Sequence, residues 1–119
     1  MKSSASLEMV AMSKYQTYIT RGIDEHLPSS IINIIWSLVL KREEEEAKYN
    51  ETPDYLSIFH IRKTDKDNVI CIKHLQEQPP YSNTYKFISN EVFTRQKVYV
   101  IREDTVDLKY FVMLLPDEY

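Results

Sequence analysis

One stretch constrains the fold more than any other: Ile31–Leu40 is almost entirely apolar and is followed at once by two basic residues and four glutamates. Its apolar residues recur at the three- and four-residue spacing that places side chains on one face of an α-helix. Ser29 and Ser30 come just before it and can cap the free amides of a first helical turn. Pro53 prevents the helix from continuing. We therefore predict one long helix at about residues 29–48.

The apolar face of this helix is wider than a helix on a protein surface needs. Ile32, Trp36 and Leu40 fall beside the main stripe, which includes Ile31 and Ile35. Either a sheet curls around the helix or these three residues meet a second chain. Ile32, Trp36 and Leu40 are therefore a candidate partner surface.

The apolar spacing changes from helical to alternating after Asp54, which predicts β-strands joined by turns. Such strands indicate a mostly antiparallel sheet. The predicted class is α+β, with the helix packed on five to six strands in the order β-α-β-β-β-β-β. Residues 1–14 are predicted to be a disordered leader, and residues 15–119 a single domain. The predicted strands span Tyr15–Ile19, Tyr55–Lys63, Val69–Gln76, Tyr81–Ile88, Lys97–Glu103 and Lys109–Leu115.

Composition excludes several classes of function. The only glycine is Gly22, so a glycine-rich phosphate-binding loop cannot be built, and Gly22 itself is expected to adopt a backbone conformation that other residues avoid. The net charge of -3 gives no bulk attraction to nucleic acid. The one cysteine, Cys71, suits a reducing compartment. Residues 31–40 are about half the length that spans a bilayer. We expect a cytoplasmic protein.

No residue pattern indicates catalysis, a cofactor or a metal site. A hairpin turn centred near Asp67 would place His60 opposite His74, and facing histidines can bind a transition metal. Cys71 lies an odd number of residues from His74 and so points to the other face. A cross-strand polar pair is the better interpretation. The acidic residues around His26 are predicted to form a solvated loop, and the protein is predicted not to be an enzyme.

Two charged patterns allow a binding function. Glu43–Glu46 is predicted to be a solvated helix end rather than a mimic of DNA phosphates. Tyr85, Phe87, Lys97 and Tyr99 form a candidate nucleic-acid surface, because aromatic rings can stack on bases and lysines can neutralise phosphates. Aromatic cross-strand pairs are also common sheet stabilisers, and the chain is acidic overall. Binding of single-stranded nucleic acid is therefore the alternative prediction.

Several spaced residue sets resemble a known family, the domain-of-unknown-function family 960. Its members are small uncharacterised proteins of low-GC Gram-positive bacteria and their mobile elements. The resemblance covers nearly all of the chain from Tyr15 onward, without the leader or the glutamate-rich helix end. It implies a cytoplasmic accessory protein and supplies no catalytic residues. The sets are Tyr18-x-Thr-Arg-Gly22, Pro28 with Trp36, Asp54-Tyr-Leu-x-x-Phe59, Gln78-Pro-Pro-Tyr81 and Met113-Leu-Leu-Pro-x-Glu-Tyr119.

Four of these residues, Tyr18, Asp54, Tyr55 and Tyr81, lie at predicted strand ends. Together they could form a polar and aromatic rim that either binds a partner or fastens loops, and both interpretations stay open. The predicted function is a non-enzymatic protein-interaction or regulatory module that binds an unidentified protein or a second copy of itself. Its candidate partner surface comprises Ile32, Trp36, Leu40, Tyr18, Tyr55 and Tyr81.

Overall fold

Six strands form one sheet, and two helices connect the first strand to the second. The computed structural model describes residues 15–49, 51–91, 95–104 and 109–119, so the predicted leader lies outside the described residues. The helices are α1 (Arg21–His26) and α2 (Ser29–Ala47), and a 3-10 turn, Pro116–Glu118, follows the last strand. The strands are β1 (Gln16–Ile19), β2 (Leu56–Lys63), β3 (Val69–Gln76), β4 (Tyr81–Ile88), β5 (Gln96–Asp104) and β6 (Lys109–Leu114).

The sheet is antiparallel except at one edge. Its order is β1-β6-β5-β2-β3-β4, in which β1 runs parallel to β6 and every other neighbouring pair is antiparallel. The segment that holds both helices carries the chain from the edge strand β1 to β2 in the interior of the sheet. The α+β class, the main helix and the mostly antiparallel sheet are as predicted.

The predicted element order is wrong in one respect, because it omits the short helix α1. Thr20 caps this helix, since its hydroxyl accepts a hydrogen bond from the Ile23 amide at 3.3 Å. Ile23 is fully buried and anchors α1 to the core. Gly22 lies inside α1 and does not have a positive φ, so the expected unusual backbone is also wrong. The glycine instead leaves room for the Glu118 carboxylate, since a Cβ there would lie 2.7 Å from one of its oxygens and would displace it.

No side chain caps the start of α2. Pro28 is the N-cap residue, and Ser29 and Ser30 are the first two helical residues, so the predicted serine caps are wrong. The Ser30 hydroxyl donates instead to the Glu91 carboxylate at 2.8 Å. The helix ends at Ala47, one residue before the predicted end. Within the described residues, neither helix combines the length and the apolarity needed to cross a membrane.

The core lies between α2 and one face of the sheet. Ile35 of α2 and Phe59 of β2 are both fully buried there. Ile32 and Trp36 belong to the same core, at 8% and 6% exposure, and Leu40 packs against it. The wide apolar face of α2 is therefore used inside the chain. Ile32 and Trp36 are not available to a partner, and packing within the chain's own core explains the width of the apolar face.

Trp36→Ala tests this assignment. Removing a buried tryptophan side chain should lower the free energy of unfolding by about 3–5 kcal/mol, measured by urea denaturation. The matched control is Tyr49→Ala. Tyr49 is 72% exposed and comes just after α2, so its loss should change the free energy of unfolding by less than about 0.5 kcal/mol. Unchanged stability in Trp36→Ala, together with a loss of dimers in light scattering, would instead place Trp36 between two chains.

Candidate functional site

The last turns of α2 bury charged side chains. Arg42, Glu43 and Glu46 are only 7%, 8% and 7% exposed. Arg42 Nη1 donates to Glu46 Oε1 at 2.6 Å, and Arg102 Nε of β5 lies 3.1 Å from a Glu43 oxygen. Burial raises the pKa of Glu43, and the neighbouring Arg102 charge opposes that shift. The prediction of a solvated glutamate run is therefore wrong for Glu43 and Glu46, which are buried and ion-paired.

A chain of hydrogen bonds continues from Arg42 into the middle of the sheet. Arg42 Nε donates to Gln76 Oε1 at 2.8 Å, Gln76 Nε2 donates to Ser57 Oγ at 2.9 Å, and Ser57 Oγ lies 2.8 Å from His74 Nε2. His74 is fully buried and stacks on Phe59 with ring centroids 4.2 Å apart. Burial, assisted by the Arg42 charge, lowers the pKa of His74 to about 3. The imidazole is therefore neutral near pH 7.

Ser57 and His74 have the separation of a nucleophile and its base, but other requirements of catalysis are missing. A catalytic base needs a third group that orients it and a pKa near the working pH. His74 Nδ1 has no hydrogen-bond partner among the described residues, and its pKa is far too low. Ser57 is only 6% exposed, so a substrate has little access to its hydroxyl. The pair is suited to joining β2 to β3 beneath α2.

The structure does not bring His60 and His74 together. His74 is opposite Phe59 on the neighbouring strand, and His60 is opposite Lys73. The midpoint of this hairpin is therefore between Lys66 and Asp67, whereas the prediction placed it on Asp67. This half-residue shift places the two histidines on opposite faces of the sheet. No group of three His, Cys, Asp or Glu side chains in the described ranges is arranged to hold a metal ion.

Hydrogen bonds between the Tyr18–Gly22 motif and the Met113–Tyr119 motif fasten the last residues to the start of α1. The Thr20 hydroxyl donates to Glu118 Oε1 at 2.6 Å, and the Gly22 amide donates to Glu118 Oε2 at 3.2 Å. Glu118 Oε1 also accepts from the Leu115 amide at 2.8 Å. These hydrogen bonds, that from Thr20 above all, lower the pKa of Glu118. We call the contact of Thr20 and Gly22 with Glu118 the terminal clasp.

Asp54 fastens a loop in a similar way. Its Oδ2 accepts hydrogen bonds from the amides of Glu77 and Gln78 at 3.1 and 3.0 Å. Tyr55 Oη lies 3.0 Å from Tyr119 Oη, at the end of the chain. Of the two interpretations of the predicted rim, loop fastening therefore describes Asp54, and Tyr55 remains 54% exposed beside Tyr119.

Tyr81 belongs to the buried polar network rather than to an exposed rim. The Arg42 guanidinium lies 3.8 Å from the centre of its ring, and its hydroxyl lies 3.2 Å from that of Tyr85. Burial and the Tyr85 hydrogen bond raise the pKa of Tyr81 to about 12. Tyr18 is at the opposite edge of the sheet, on β1. The six predicted partner residues therefore do not share one surface.

The sheet also divides the predicted nucleic-acid surface. Tyr85 and Phe87 pair with buried isoleucines of β3 and pack against the core beneath α2. Lys97 and Tyr99 flank the fully buried Val98, so they point to the other face. The four residues are therefore not one surface, although Lys97 and Tyr99 remain neighbours.

Neither helix covers the face of the sheet opposite α2, and we call it the open face. Both helices place their buried residues in the core on the other face. Two rows of direct cross-strand partners on the open face are apolar, and we call them the apolar belt. One row is Tyr18, Val112, Ile101 and Leu56, and the next is Leu114, Tyr99, Ile58 and Leu75.

Tyrosines border the apolar belt and extend it. Tyr18 meets Tyr110 edge to face at 5.8 Å between ring centroids, and Tyr99 meets Tyr119 in the same way at 5.4 Å. Tyr18 and Tyr119 are 50% and 59% exposed. Tyrosine is enriched at protein interfaces because its ring is apolar and its hydroxyl can still form a hydrogen bond.

Two of the remaining rows of the open face are basic, whereas the row on the other side of the belt consists of Gln16, Tyr110 and Glu103. All of the charged side chains in them are exposed. We call the six residues Arg62, Lys73, Lys86, Arg95, Lys97 and His60 the basic band. One row is Lys97, His60 and Lys73, the next is Arg62, Cys71 and Lys86, and Arg95 lies just before β5.

The chain belongs to the family described as "Staphylococcal protein of unknown function (DUF960)", which matches residues 16–118. The family expected from the spaced motifs is therefore confirmed. A solved structure described as "Crystal structure of the protein of unknown function from Enterococcus faecalis" is similar, with a TM-score of 0.65 and 18% sequence identity. The likeness covers 90% of this chain and 92% of that one, and it shows the fold alone. No curated protein matches the chain.

Gly22→Ala tests the terminal clasp. Alanine is more favourable than glycine in a helix by about 1 kcal/mol, but a Cβ at Gly22 must displace the Glu118 carboxylate. In a Glu118→Ala background, we expect Gly22→Ala to raise the free energy of unfolding by this full amount. In the wild-type background, we expect a smaller increase. Urea denaturation of the four proteins in this double-mutant cycle measures the difference. Equal effects in both backgrounds would show that Glu118 does not occupy this space.

His74 should make the protein sensitive to acid. Its pKa is about 3 in the folded state and about 6.5 when unfolded, so between these values the unfolded state binds a proton that the folded state does not. Its contribution to stability is complete above pH 6.5 and is lost as the pH falls toward 3. The free energy of unfolding should fall by up to about 1.4 kcal/mol per pH unit from this residue.

His74→Gln should remove that part of the pH dependence, since glutamine keeps a hydrogen-bonding group but does not titrate. His26→Gln is the matched control, because it makes the same change at an exposed position. Denaturant titrations at several pH values between 4 and 7 measure both slopes. The same slope in His74→Gln as in the wild type would contradict the assignment.

Proposed function

We propose that this member of the family is a non-enzymatic protein-interaction module and that a partner protein docks on its open face. The apolar belt carries the proposal. Its eight residues adjoin one another across five strands and neither helix covers them, although Leu114 among them is only 6% exposed. Contiguous apolar patches of this kind on soluble proteins often mark interaction sites, because covering them removes apolar area from water.

The chemistry of the belt supports a protein partner. Most of its residues are aliphatic, and aliphatic side chains pack well against other side chains but offer no ring on which a base can stack. Tyrosines lie among them and at their border, as is common in protein interfaces. The open face therefore combines an apolar centre with a charged margin, which is the usual arrangement of a reversible protein contact.

The dimensions of the belt favour a reversible contact over a permanent dimer. Rows that cross four strands span about 20 Å at most, and two rows extend about 14 Å along the strands. The resulting area is well below the roughly 800 Å² per partner of a stable interface. A regulatory or accessory role in the cytoplasm is part of this proposal, and the buried, free thiol of Cys71 is compatible with it.

Binding of single-stranded nucleic acid is a second candidate, supported by one observation. Lys97 Nζ lies 5.7 Å from the centre of the Tyr99 ring on the open face, so a cation and an aromatic ring are adjacent there. Tyr85 and Phe87, the other half of the predicted surface, are on the covered face. Only one ring of the predicted set, Tyr99, is therefore on the open face, which is less stacking than such binders usually have, so protein binding is the better supported function.

Affinity capture from the native host, followed by mass spectrometry, tests the proposal. The test variant is Ile58→Thr combined with Ile101→Thr, which keeps β-branched residues in the strands but adds polar groups at the centre of the belt. We expect a protein that the wild type captures and that this variant captures at least about tenfold less, as for an interface centre.

The matched control is Ile88→Thr, the same change at a 79% exposed position of edge strand β4, outside the belt. It should capture as much as the wild type. Equal capture by all three proteins would contradict docking on the belt. Capture that is abolished by nuclease treatment would favour the nucleic-acid candidate, and a belt-dependent dimer in light scattering would identify the partner as a second copy.

A further inference from the structure

Charges are distributed unequally between the two sides of the sheet. The ion pairs found in the described ranges lie on α1, on α2, between α2 and β5, or beside that contact on β5. The basic band contains none of the residues that form these ion pairs. None of its five lysine and arginine side chains forms an ion pair with a described residue. The band is therefore a site of uncompensated positive charge in a chain whose net charge is -3.

Direct cross-strand contacts hold some of these charges close together. His60 on β2 lies between Lys97 on β5 and Lys73 on β3. Cβ atoms of such partners are about 4.5–5.5 Å apart, so a proton on His60 is repelled by both lysines. Burial, and then the charges of Lys97, Lys73 and Arg95, lower the pKa of His60. An anion placed over this row would remove the repulsion.

The other charged groups near His60 do not cancel this field. Arg62 is two residues further along the same strand, and Lys86 of β4 is in the same row as Arg62. The nearest carboxylate along β3 is that of Glu77, four residues after Lys73 and just past the end of the strand, and those of Asp65 and Asp67 are in the turn beyond Arg62. The side of His60 away from the turn faces Ile58 and the apolar belt.

The belt and the band adjoin each other, and β2 shows the transition. Its open-face residues are Leu56 and Ile58 of the belt, followed by His60 and Arg62 of the band. Successive rows are about 7 Å apart. A single segment lying across the open face would therefore contact apolar and cationic side chains within a few residues.

We infer that the partner segment that docks on the apolar belt carries acidic side chains that pair with the basic band. The inference rests on the proposed function and adds the chemical class of the partner, an acidic segment with apolar residues beside its carboxylates. Docking would exclude water from the row Lys97–His60–Lys73, where the pairs would be stronger than on a free surface. The aliphatic stems of the lysines can also cover apolar atoms of the segment.

A labelled short peptide of alternating leucine and glutamate is a suitable probe for fluorescence anisotropy. We expect it to bind the wild-type protein, with an affinity that falls as salt is added. Lys73→Glu combined with Lys97→Glu should weaken binding by about tenfold or more, since two attractions become repulsions. Thermal denaturation checks that this variant folds, and removal of like charges around His60 should leave its stability at or above that of the wild type.

The matched control is Arg21→Glu combined with Lys48→Glu, which changes the net charge equally at exposed positions on α1 and just after α2. It should bind the peptide as the wild type does. Equal weakening in both variants would overturn the inference, because net charge alone would then explain binding. No binding at low salt, or tighter band-dependent binding of a thymidine oligonucleotide, would also overturn it.

Two further measurements separate this inference from the proposed function. Nuclear magnetic resonance titration of His60 should show a higher pKa in the presence of the peptide, because its carboxylates favour the protonated imidazole. An unchanged pKa would place the peptide elsewhere. If capture of the native partner depends on Ile58 and Ile101 but not on Lys73 and Lys97, the proposed function stands and the acidic partner is wrong.

Discussion

The pairing register of β2 with β3 is the constraint on which the rest of the structure depends. Ile61 pairs with Ile72, and this choice places Phe59 and His74 together beneath α2 while His60 and Lys73 meet on the open face. A shift of one residue would exchange the two faces. The hydrophobic effect selects the observed register, because it buries Ile61 of β2 with Ile70 and Ile72 of β3. The polar network from Arg42 to His74 then pairs Gln76, Ser57 and His74 Nε2, which the same register buries.

The two faces of the sheet consequently carry charge in different ways. Under α2, Arg42 and Arg102 are buried beside Glu46 and Glu43, where an unpaired charge would be costly. On the open face, cations are exposed and have no acidic partner in the described chain. Stability explains the first arrangement. The second contributes nothing to folding and adds like-charge repulsion, which is why binding of an acidic partner accounts for it best.

Sequence patterns predicted the elements well where the signal was local. The alternating runs at Val69–Gln76 and Tyr81–Ile88 matched β3 and β4 at both ends. α1 was missed although Thr20 followed by Asp24 is a helix-start pattern, because Gly22 suggested a turn. The true requirement for Gly22 is contact with Glu118, which is distant in sequence and has no local signature. The pairing of β2 with β3 also has no local signature at this precision, and a half-residue shift in its turn is enough to place His60 and His74 on different faces.

Lysine footprinting in an extract of the native host tests the central claim, that the open face is a docking surface. The protein is treated with an acylating reagent alone and in extract, and mass spectrometry measures the reactivity of each lysine. We predict that Lys73, Lys86 and Lys97 become less reactive in extract, whereas Lys41 and Lys48 on the side of α2 react as in the free protein. Unchanged reactivity throughout, or protection confined to Lys41 and Lys48, would contradict the account.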